Sequence, residues 1–409
     1  MTFYDPSDPR WSTDPGPLFD EIRTTAPLHR TPSNYWVVTR HADCLAVLRS
    51  SLASADSLHI HPDKQPLGFN SGARQEQREL IRASGDDTRP FLFRDAPDHT
   101  RLRGLVQRAF TPRRINELEG FTRSLARDMI APHLDGVAFD AVQSIAWALP
   151  VAVICEMLDI PAEDHAAFQH QSAQLARGLD PEFLLSDRDR EYRDAAIMYF
   201  AEYFSRLFAL RRSRPGPDLL SALVAAHDGE DRLSEGELLS TAILLLVAGH
   251  ETTMNLISGA LLALSRDQSA QAVLRAFGAD RAAVDELLRF VSPVQLTGRA
   301  MTEDLSVGDQ VLEEGSFVMV LLGAANRDPE VFSDPTVLNL RREPNPQLGF
   351  GFGMHHCLGS PLARLEAQVI LSELVAVSSN WHVSSPELHY RPNIVLRGLE
   401  ELSLVITPA

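Results

Sequence analysis

The chain has 409 residues, of which 44% are hydrophobic and 23% charged, a composition typical of a globular enzyme with a large core. Its formal net charge of −17 repels phosphate backbones and anionic lipid, so we expect neither nucleic acid nor a membrane as partner. No apolar run reaches the roughly 18 residues of a membrane span, and the N-terminus does not resemble a signal peptide. These features predict a cytoplasmic protein.

The three cysteines, Cys44, Cys155 and Cys357, are odd in number and far apart in the sequence. They therefore predict no disulfide framework and agree with a reducing compartment. The absence of any Cys-x-x-Cys motif also argues against zinc ribbons and covalently attached haem.

The first hundred residues contain short predicted elements. Helices are predicted at residues 17–25 and 41–49, and a strand at residues 35–39. Residues 52–94 are polar and poorly periodic, with a single short helix predicted near residues 75–83. A loop of this length is usually functional or disordered.

Residues 98–265 have apolar side chains at three- and four-residue spacing, which predicts a series of helices separated at prolines. Short strands are favoured over residues 291–340, for example at 316–322, and a further strand is predicted at 393–407. No repeat or shift of composition marks a boundary. The prediction is therefore a single domain over residues 1–409, mainly α with small β-sheets.

The first motif pairs His99 with Arg103. Four residues apart, they share one helix face, and two such donors can neutralise a carboxylate. The alternative is an ordinary basic helix face, which is the better interpretation of this motif taken alone.

A second motif lies within a long apolar helix. Ser234 and Glu237 form a predicted capping box, and the helix continues to about residue 263, or ~45 Å. In its middle, residues 248–253 read Ala-Gly-His-Glu-Thr-Thr. Burying Glu251 costs several kcal/mol unless it is paired or used in catalysis, and the small residues at 248 and 249 leave room for a flat cofactor or O₂. The alternative is a kinked core helix whose threonines bond back to their own carbonyls.

A third motif is the pair Glu286 and Arg289, three residues apart on one helix face. Alone it is a weak signal, since such pairs are usually solvated and contribute little to stability.

The fourth motif is a loop at residues 349–359 in which glycines flank Cys357. Glycines permit positive φ angles and close backbone approach. Pro361 then marks the start of a helix, whose N-terminal N–H groups favour a thiolate over a thiol. A thiolate suits ligation of a soft metal. The alternative is a buried cysteine in a glycine-rich hairpin, which the packed glycines and two phenylalanines make the weaker interpretation.

The spacing of Phe350, Gly353, His355, Cys357 and Gly359 resembles the haem-binding loop of the cytochrome P450 family. The resemblance implies that family's fold, with a long central helix over the haem and the cysteine loop on the proximal side. It also implies that Cys357 is the axial metal ligand, that the cofactor is haem b (iron protoporphyrin IX), and that His355 contacts a haem propionate.

The other motifs extend this resemblance over most of the chain. Residues 248–253 resemble the oxygen-activation motif, with Ala248 and Gly249 beside the cofactor and Glu251 and Thr252 at the acid and alcohol positions. The resemblance further assigns haem carboxylate contacts to three residues, namely His99, Arg103 and Arg299.

The Glu286–Arg289 pair resembles a structural network of the family that a further arginine normally completes. Val337 stands where that arginine is often found. We expect Arg341 or Arg342 to replace it.

The resemblance implies a bacterial, ferredoxin-dependent monooxygenase that inserts one oxygen atom from O₂ into a C–H bond of a hydrophobic small molecule. A fatty acyl chain, terpenoid, steroid or polyketide would suit its apolar pocket, for which the candidates are Phe69, Phe91, Phe93, Leu245, Val294 and Ile394. Ferredoxin, itself reduced by ferredoxin reductase, is expected to dock near Arg101, Arg108, Arg113 and Arg114.

Three alternatives remain open from the sequence. A non-catalytic haem sensor or carrier would need no proton relay, whereas the Glu251–Thr252 pair favours an enzyme. A peroxide-driven oxygenase is disfavoured because such members of the family tend to lack this pair. A zinc hydrolase using His355, His356 and Cys357 is disfavoured because adjacent residues rarely converge on one tetrahedral metal.

Overall fold

The computed structural model describes residues 4–67, 75–76, 79–81, 83, 87–225 and 233–409. The helix predicted near residues 75–83 lies partly outside these residues, and Phe69 lies outside them entirely.

Most of the described elements are helices, as the periodicity predicts. The helices are α1 Gly16–Thr25, α2 His41–Arg49, α3 Asp98–Ala109, α4 Pro112–Glu117, α5 Glu119–Ile130, α6 Ala148–Leu158, α7 His165–Arg177, α8 Asp187–Ser213, α9 Leu219–Ala225, α10 Glu235–Ser265, α11 Gln268–Phe277, α12 Arg281–Val291, α13 Leu322–Ala325 and α14 Ser360–Val377. A π-helical segment, Val142–Trp147, leads directly into α6. The helices predicted at residues 17–25 and 41–49 are confirmed by α1 and α2.

The strands are short, and most of them lie within residues 28–54, 297–320 and 378–408. They are β1 Leu28–Arg30, β2 Trp36–Val38, β3 Ala53–Ser54, β4 Phe139–Asp140, β5 Thr297–Met301, β6 Leu305–Val307, β7 Gln310–Leu312, β8 Phe317–Val320, β9 Ser378–Val383 and β10 Ser403–Pro408. Five form one sheet in the order β1-β2-β8-β5-β3, three form a second in the order β4-β10-β9, and β6 pairs with β7. The predicted strands at 35–39 and 316–322 are confirmed as β2 and β8, which pair in parallel.

Helix α10 is the long helix that the sequence predicts. Ser234 and Glu237 form the capping box, each side chain bonded to the backbone of the other residue. The first half of the helix packs into one apolar cluster, which includes Leu246, and the second half into another, which includes Met254. The polar residues 250–253 therefore lie at the junction between the two clusters. The helix continues without interruption through this motif.

The strand predicted at residues 393–407 is wrong over most of its length, because β10 begins only at Ser403. The backbone N–H groups of Ile394 and Val395 donate to the carboxylate of Asp180 instead of to a neighbouring strand. A buried side-chain acceptor thus takes the place of a strand partner. The alternation of apolar and polar residues along the chain cannot reveal such an acceptor, because Asp180 is distant in sequence.

Within the described residues, no helix is long and apolar enough to cross a membrane.

Candidate functional site

The cysteine loop has a backbone that requires glycine at two positions. Gly351 and Gly353 have φ angles of 67° and 71°, in the region that side chains disfavour. A Cβ at Gly353 would also lie 2.8 Å from the carbonyl oxygen of Leu48. The Cys357 N–H donates to the carbonyl of Phe350 at 2.9 Å, so the loop closes just before α14 begins.

Burial and local hydrogen bonds act in opposite directions on the pKa of the Cys357 thiol. Burial raises the pKa of the Cys357 thiol, while the N–H groups of Gly359 and Ser360 and the cations of Arg103 and Arg364 oppose the rise. The helix N-terminus therefore acts as expected, but burial outweighs it. A bound metal cation would stabilise the thiolate further.

Helix α10 presents an accessible strip in the middle of its otherwise buried length. Ala248 is exposed, and Gly249 and Thr252 are partly exposed, although 19 residues of this helix are buried. Cys357 packs against a small cluster that contains Leu256 of the same helix. The cysteine loop therefore packs near α10 about one turn beyond Thr252.

The threonines of the motif make the back-bonds that the alternative interpretation predicts. Thr252 Oγ1 donates to the carbonyl of Ala248 at 2.9 Å, and Thr253 Oγ1 to that of Gly249 at 3.3 Å. A Cβ at Gly249 would lie 3.1 Å from Ile154 of α6, so helix packing by itself already favours glycine there. Accessibility, rather than hydrogen bonding, distinguishes Thr252 from its neighbour, since Thr253 is only 3% exposed.

Glu251 is buried and paired, as the cost of burying a carboxylate requires. Its Oε2 accepts from Arg391 at 2.9 Å, and its Oε1 accepts from Ser172 at 3.4 Å. His250 Nε2 lies 3.5 Å from Oε1. The expected acid and alcohol are thus neighbours in sequence, but the carboxylate is engaged by groups other than Thr252.

A cluster of basic side chains has no anionic hydrogen-bond partner among the described residues. His99 is 3% exposed, its ring centroid lies 4.3 Å from that of His355, and both His99 ring nitrogens and Nε2 of His355 have no hydrogen-bond partner among the described residues. Arg299, 7% exposed, donates only to neutral oxygens of Thr297 and Gly298 in the described hydrogen bonds. A ligand with carboxylates would satisfy this cluster.

The pKa values of the same cluster reflect burial. Burial lowers the pKa of His355 to about 3, with further lowering by Arg299, His99 and Arg103. Burial also lowers the pKa of Arg299 to about 10, opposed by Asp95. A bound dianion would offset both effects.

Two predicted cofactor residues have other partners in the structure. Arg103 donates to the carbonyl of His356 at 2.6 Å, so it braces the cysteine loop. The ring of Phe350 lies 4.5 Å beneath the guanidinium of Arg364. Neither contact was expected from the sequence.

The Glu286–Arg289 pair forms the core of a buried network. Both side chains are fully buried, with Arg289 Nε 2.8 Å from Glu286 Oε2. Arg342 donates to both Glu286 oxygens at 3.1 and 3.0 Å, whereas Arg341 pairs with Asp280 at the surface. Arg342 therefore takes the place of the arginine missing at Val337.

Three residues of this region were missed from the sequence. Arg391 and Ser172 contact Glu251 from distant segments, and no local pattern marks them. Glu366 of α14 is fully buried, and neither of its oxygens has a hydrogen-bond partner among the described residues. Burial raises the pKa of Glu366 well above its usual value.

The fold and this site define a haem-thiolate type of protein: one cysteine in a glycine-rich loop, an accessible helical wall, and buried donors without acceptors. The sequence profile described as Cytochrome P450 matches residues 81–276 and 281–389. The chain belongs to the cytochrome P450 family, and its relatives include proteins named as monooxygenases. It is therefore a haem-dependent oxidoreductase.

Individual relatives match over nearly their whole length. The polyketide biosynthesis cytochrome P450 PksS of Bacillus subtilis (strain 168) is 34% identical, over 99% of this chain and 98% of the relative. The ligand-free structure of Mycobacterium smegmatis CYP164A2 superposes with a TM-score of 0.86 at 40% identity, covering 97% of each chain. P450BioI, solved with an acyl carrier protein that carries hexadec-9Z-enoic acid, gives a TM-score of 0.86 at 30% identity, over 98% of this chain and all of the other.

Removing Arg299 is expected to weaken haem retention and to stabilise the haem-free protein. In Arg299→Leu we expect haem affinity to fall about 10- to 100-fold, because a charged hydrogen bond contributes about 1.5–3 kcal/mol. The midpoint of chemical denaturation without haem should rise, because an unpaired buried cation is removed. Haem transfer to an acceptor protein and denaturation curves measure the two effects. Arg341→Leu, at the surface, is the control, and wild-type haem affinity in Arg299→Leu would contradict the assignment.

Proposed function

We propose that this cytochrome P450 binds haem b through Cys357 and inserts one atom of O₂ into a C–H bond of a hydrophobic small molecule, with electrons from ferredoxin and ferredoxin reductase. The observation that carries the proposal is the accessible strip at Ala248, Gly249 and Thr252 in a buried helix next to the cysteine loop. Small side chains there leave space for a flat cofactor and its gaseous ligand.

Bound haem supplies the redox chemistry, in which one oxygen atom enters the substrate, the other leaves as water, and two electrons and two protons are consumed. Cys357 would hold the iron, and the N–H groups of Gly359 and Ser360, which donate to its sulfur, would disperse its negative charge. His99, His355 and Arg299 would hold the haem carboxylates. The hydroxyl of Thr252 is the accessible proton donor at the strip, and Glu251 is the acid that supplies it from the interior.

The proposed substrate class is lipophilic, with polyketide and fatty acyl chains first. Relatives are named for polyketide biosynthesis, biotin biosynthesis and vitamin D(3) 25-hydroxylation, and structural neighbours were solved with an acyl carrier protein that carries hexadec-9Z-enoic acid and with testosterone. Of the predicted pocket residues, Phe91 and Leu245 share one apolar cluster. Phe93 is 40% exposed, so it is a weaker candidate.

A ferredoxin is proposed as electron donor, although part of the predicted docking surface is already neutralised. Arg101 forms ion pairs with Glu237 and Asp98, and the exposed Arg113 pairs with Glu117. The Arg113 pair is exposed and can exchange partners readily, whereas the carboxylate of Glu237 that pairs with Arg101 is buried. Salt-sensitive binding of ferredoxin would support this surface.

The proposed function is tested by titrating the purified haem protein with hexadec-9Z-enoic acid, testosterone and a polyketide macrolactone. We expect at least one to shift the Soret band, because an apolar ligand displaces water from the iron. That ligand should then be hydroxylated when NADPH, ferredoxin and its reductase are supplied. A protein that binds haem but gives no product under these conditions would be a carrier or sensor, and product formed only with hydrogen peroxide would favour the peroxide-driven alternative.

Replacing Thr252 by alanine is expected to uncouple reductant use from product formation. Product per NADPH should fall about tenfold, with hydrogen peroxide released instead, because general acid catalysis contributes factors of this size or more. Thr252→Ser should retain most coupling. The matched control is Thr253→Ala, since that neighbouring threonine makes the same back-bond but is buried. Equal effects at the two positions would remove the assigned role of Thr252.

A further inference from the structure

The partner of Glu251 comes from a hairpin near the C-terminus. This 390–399 hairpin is closed by a β-bridge between Tyr390 and Leu399 and by the Arg391 N–H, which donates to the carbonyl of Gly398 at 3.0 Å. Arg391 is 140 residues from Glu251 in sequence. The backbone of the hairpin therefore fixes the position from which the Arg391 side chain extends to Glu251.

The hairpin is pressed directly against α10. A Cβ at Gly398 would lie 1.8 Å from Oδ1 of Asn255, so the hairpin backbone approaches the helix closely one turn beyond Glu251. Arg391 Nη2 also lies 3.5 Å from the sulfur of Met254. The guanidinium thus has two contacts on the helix and little freedom to leave.

Exposure decreases steeply from this arginine to the acid. The Arg391 side chain is 18% exposed, whereas those of Glu251 and His250 are 2% and 1% exposed. Ser172, which donates to the other carboxylate oxygen, is fully buried. Of these groups around the carboxylate, Arg391 is the one that reaches solvent.

We propose that Arg391 is a positioning residue that controls proton exchange between solvent and Glu251. This inference rests on the proposed role of Glu251 as the acid that serves Thr252. Arg391 holds the Glu251 carboxylate on the side of α10 that faces the hairpin and stabilises the carboxylate anion. Because Arg391 itself reaches solvent, the nearest solvent lies beside this ion pair. Protons consumed in the reaction then enter between the hairpin and α10.

The electrostatics agree with this geometry. Burial acts to raise the pKa of Glu251, but His250, Arg391 and Ser172 together outweigh it, so the pKa is lowered. The groups that face the carboxylate are thus His250 from its own helix, Ser172 from α7 and Arg391 from the hairpin. Without Arg391, fewer groups counteract the rise in pKa that burial causes, so we expect the pKa of Glu251 to increase.

The first test is a double-mutant cycle on the haem-loaded protein, with Arg391→Gln, Glu251→Gln and the double variant. A lowered carboxyl pKa contributes stability above the unfolded-state pKa that is lost as pH falls through the folded-state value. When Arg391 is removed and the pKa rises, this contribution is lost at neutral pH. We therefore expect the denaturation midpoint of Arg391→Gln to fall further below wild type at pH 7.5 than at pH 5. This pH-dependent difference should disappear in the Glu251→Gln background.

The second test measures turnover with the ligand chosen by the Soret titration. Product per NADPH in Arg391→Gln should fall about tenfold, with a larger solvent isotope effect in D₂O. Arg391→Lys should restore most of the loss because it keeps the charge. Arg397→Gln is the matched control, since that arginine stacks on Tyr390 and binds the carbonyl of Trp11 in the same hairpin.

Two outcomes would overturn the proposal: a stability loss in Arg391→Gln that is equal at all pH values and persists in the Glu251→Gln background, or an equal loss in Arg397→Gln. Either would make Arg391 a structural anchor of the hairpin. The cycle needs no turnover, so it tests the pairing independently. A wild-type protein without product would contradict the proposed function, while the pH-dependent cycle would still report on Arg391.

Discussion

Cys357→Ala is expected to lose the thiolate-type carbonyl spectrum and to reduce product formation at least about 1,000-fold, to background. The reason is chemical: a thiolate pushes electron density toward the metal and favours cleavage of the O–O bond. Alanine supplies neither a ligand nor charge.

The measurements are the reduced carbonyl spectrum, the ratio of haem to protein, and product formed from the ligand selected above. Cys357→His should retain some haem but give a spectrum typical of an imidazole ligand. Cys155→Ala is the control, because Cys155 is a buried thiol within the apolar cluster of α6. Survival of the thiolate-type spectrum in Cys357→Ala would exclude this ligand assignment.

The second large effect concerns the stability of the Glu286 network. Replacing Glu286 by glutamine is expected to lower the free energy of unfolding by about 3–5 kcal/mol, because it leaves buried cations without their anion. Arg289 is fully buried and Arg342 nearly so, with a side chain that is 6% exposed. Neither guanidinium can recover its hydration without opening the segment that precedes the cysteine loop.

The network also distinguishes between two adjacent arginines. Arg342→Gln should cost several kcal/mol, because this side chain binds Glu286 and the carbonyls of Ser333 and Val337. Arg341→Gln should cost less than about 1 kcal/mol, because its pair with Asp280 is exposed. Chemical denaturation followed by the Soret band and by circular dichroism measures both. Equal losses would contradict the assignment of Arg342 as the replacement for the missing arginine.

The sequence by itself predicted features that depend on near neighbours in the chain. The capping box and apolar run of α10, the glycine pattern around Cys357, and the proline that starts α14 each depend on residues within a few positions, and the structure shows each element as predicted. The family followed from the spacing of these local motifs. Such signals are readable because helix periodicity and backbone restrictions act over single turns.

Only the tertiary structure decided which distant groups meet. It selected Arg342 over Arg341, turned Arg103 toward the carbonyl of His356, and replaced a predicted strand by hydrogen bonds to Asp180. It also brought Arg391 to Glu251. These contacts depend on how distant loops pack against the core. The free energy of a buried charge depends on which groups pair with it, and no local sequence pattern specifies those groups.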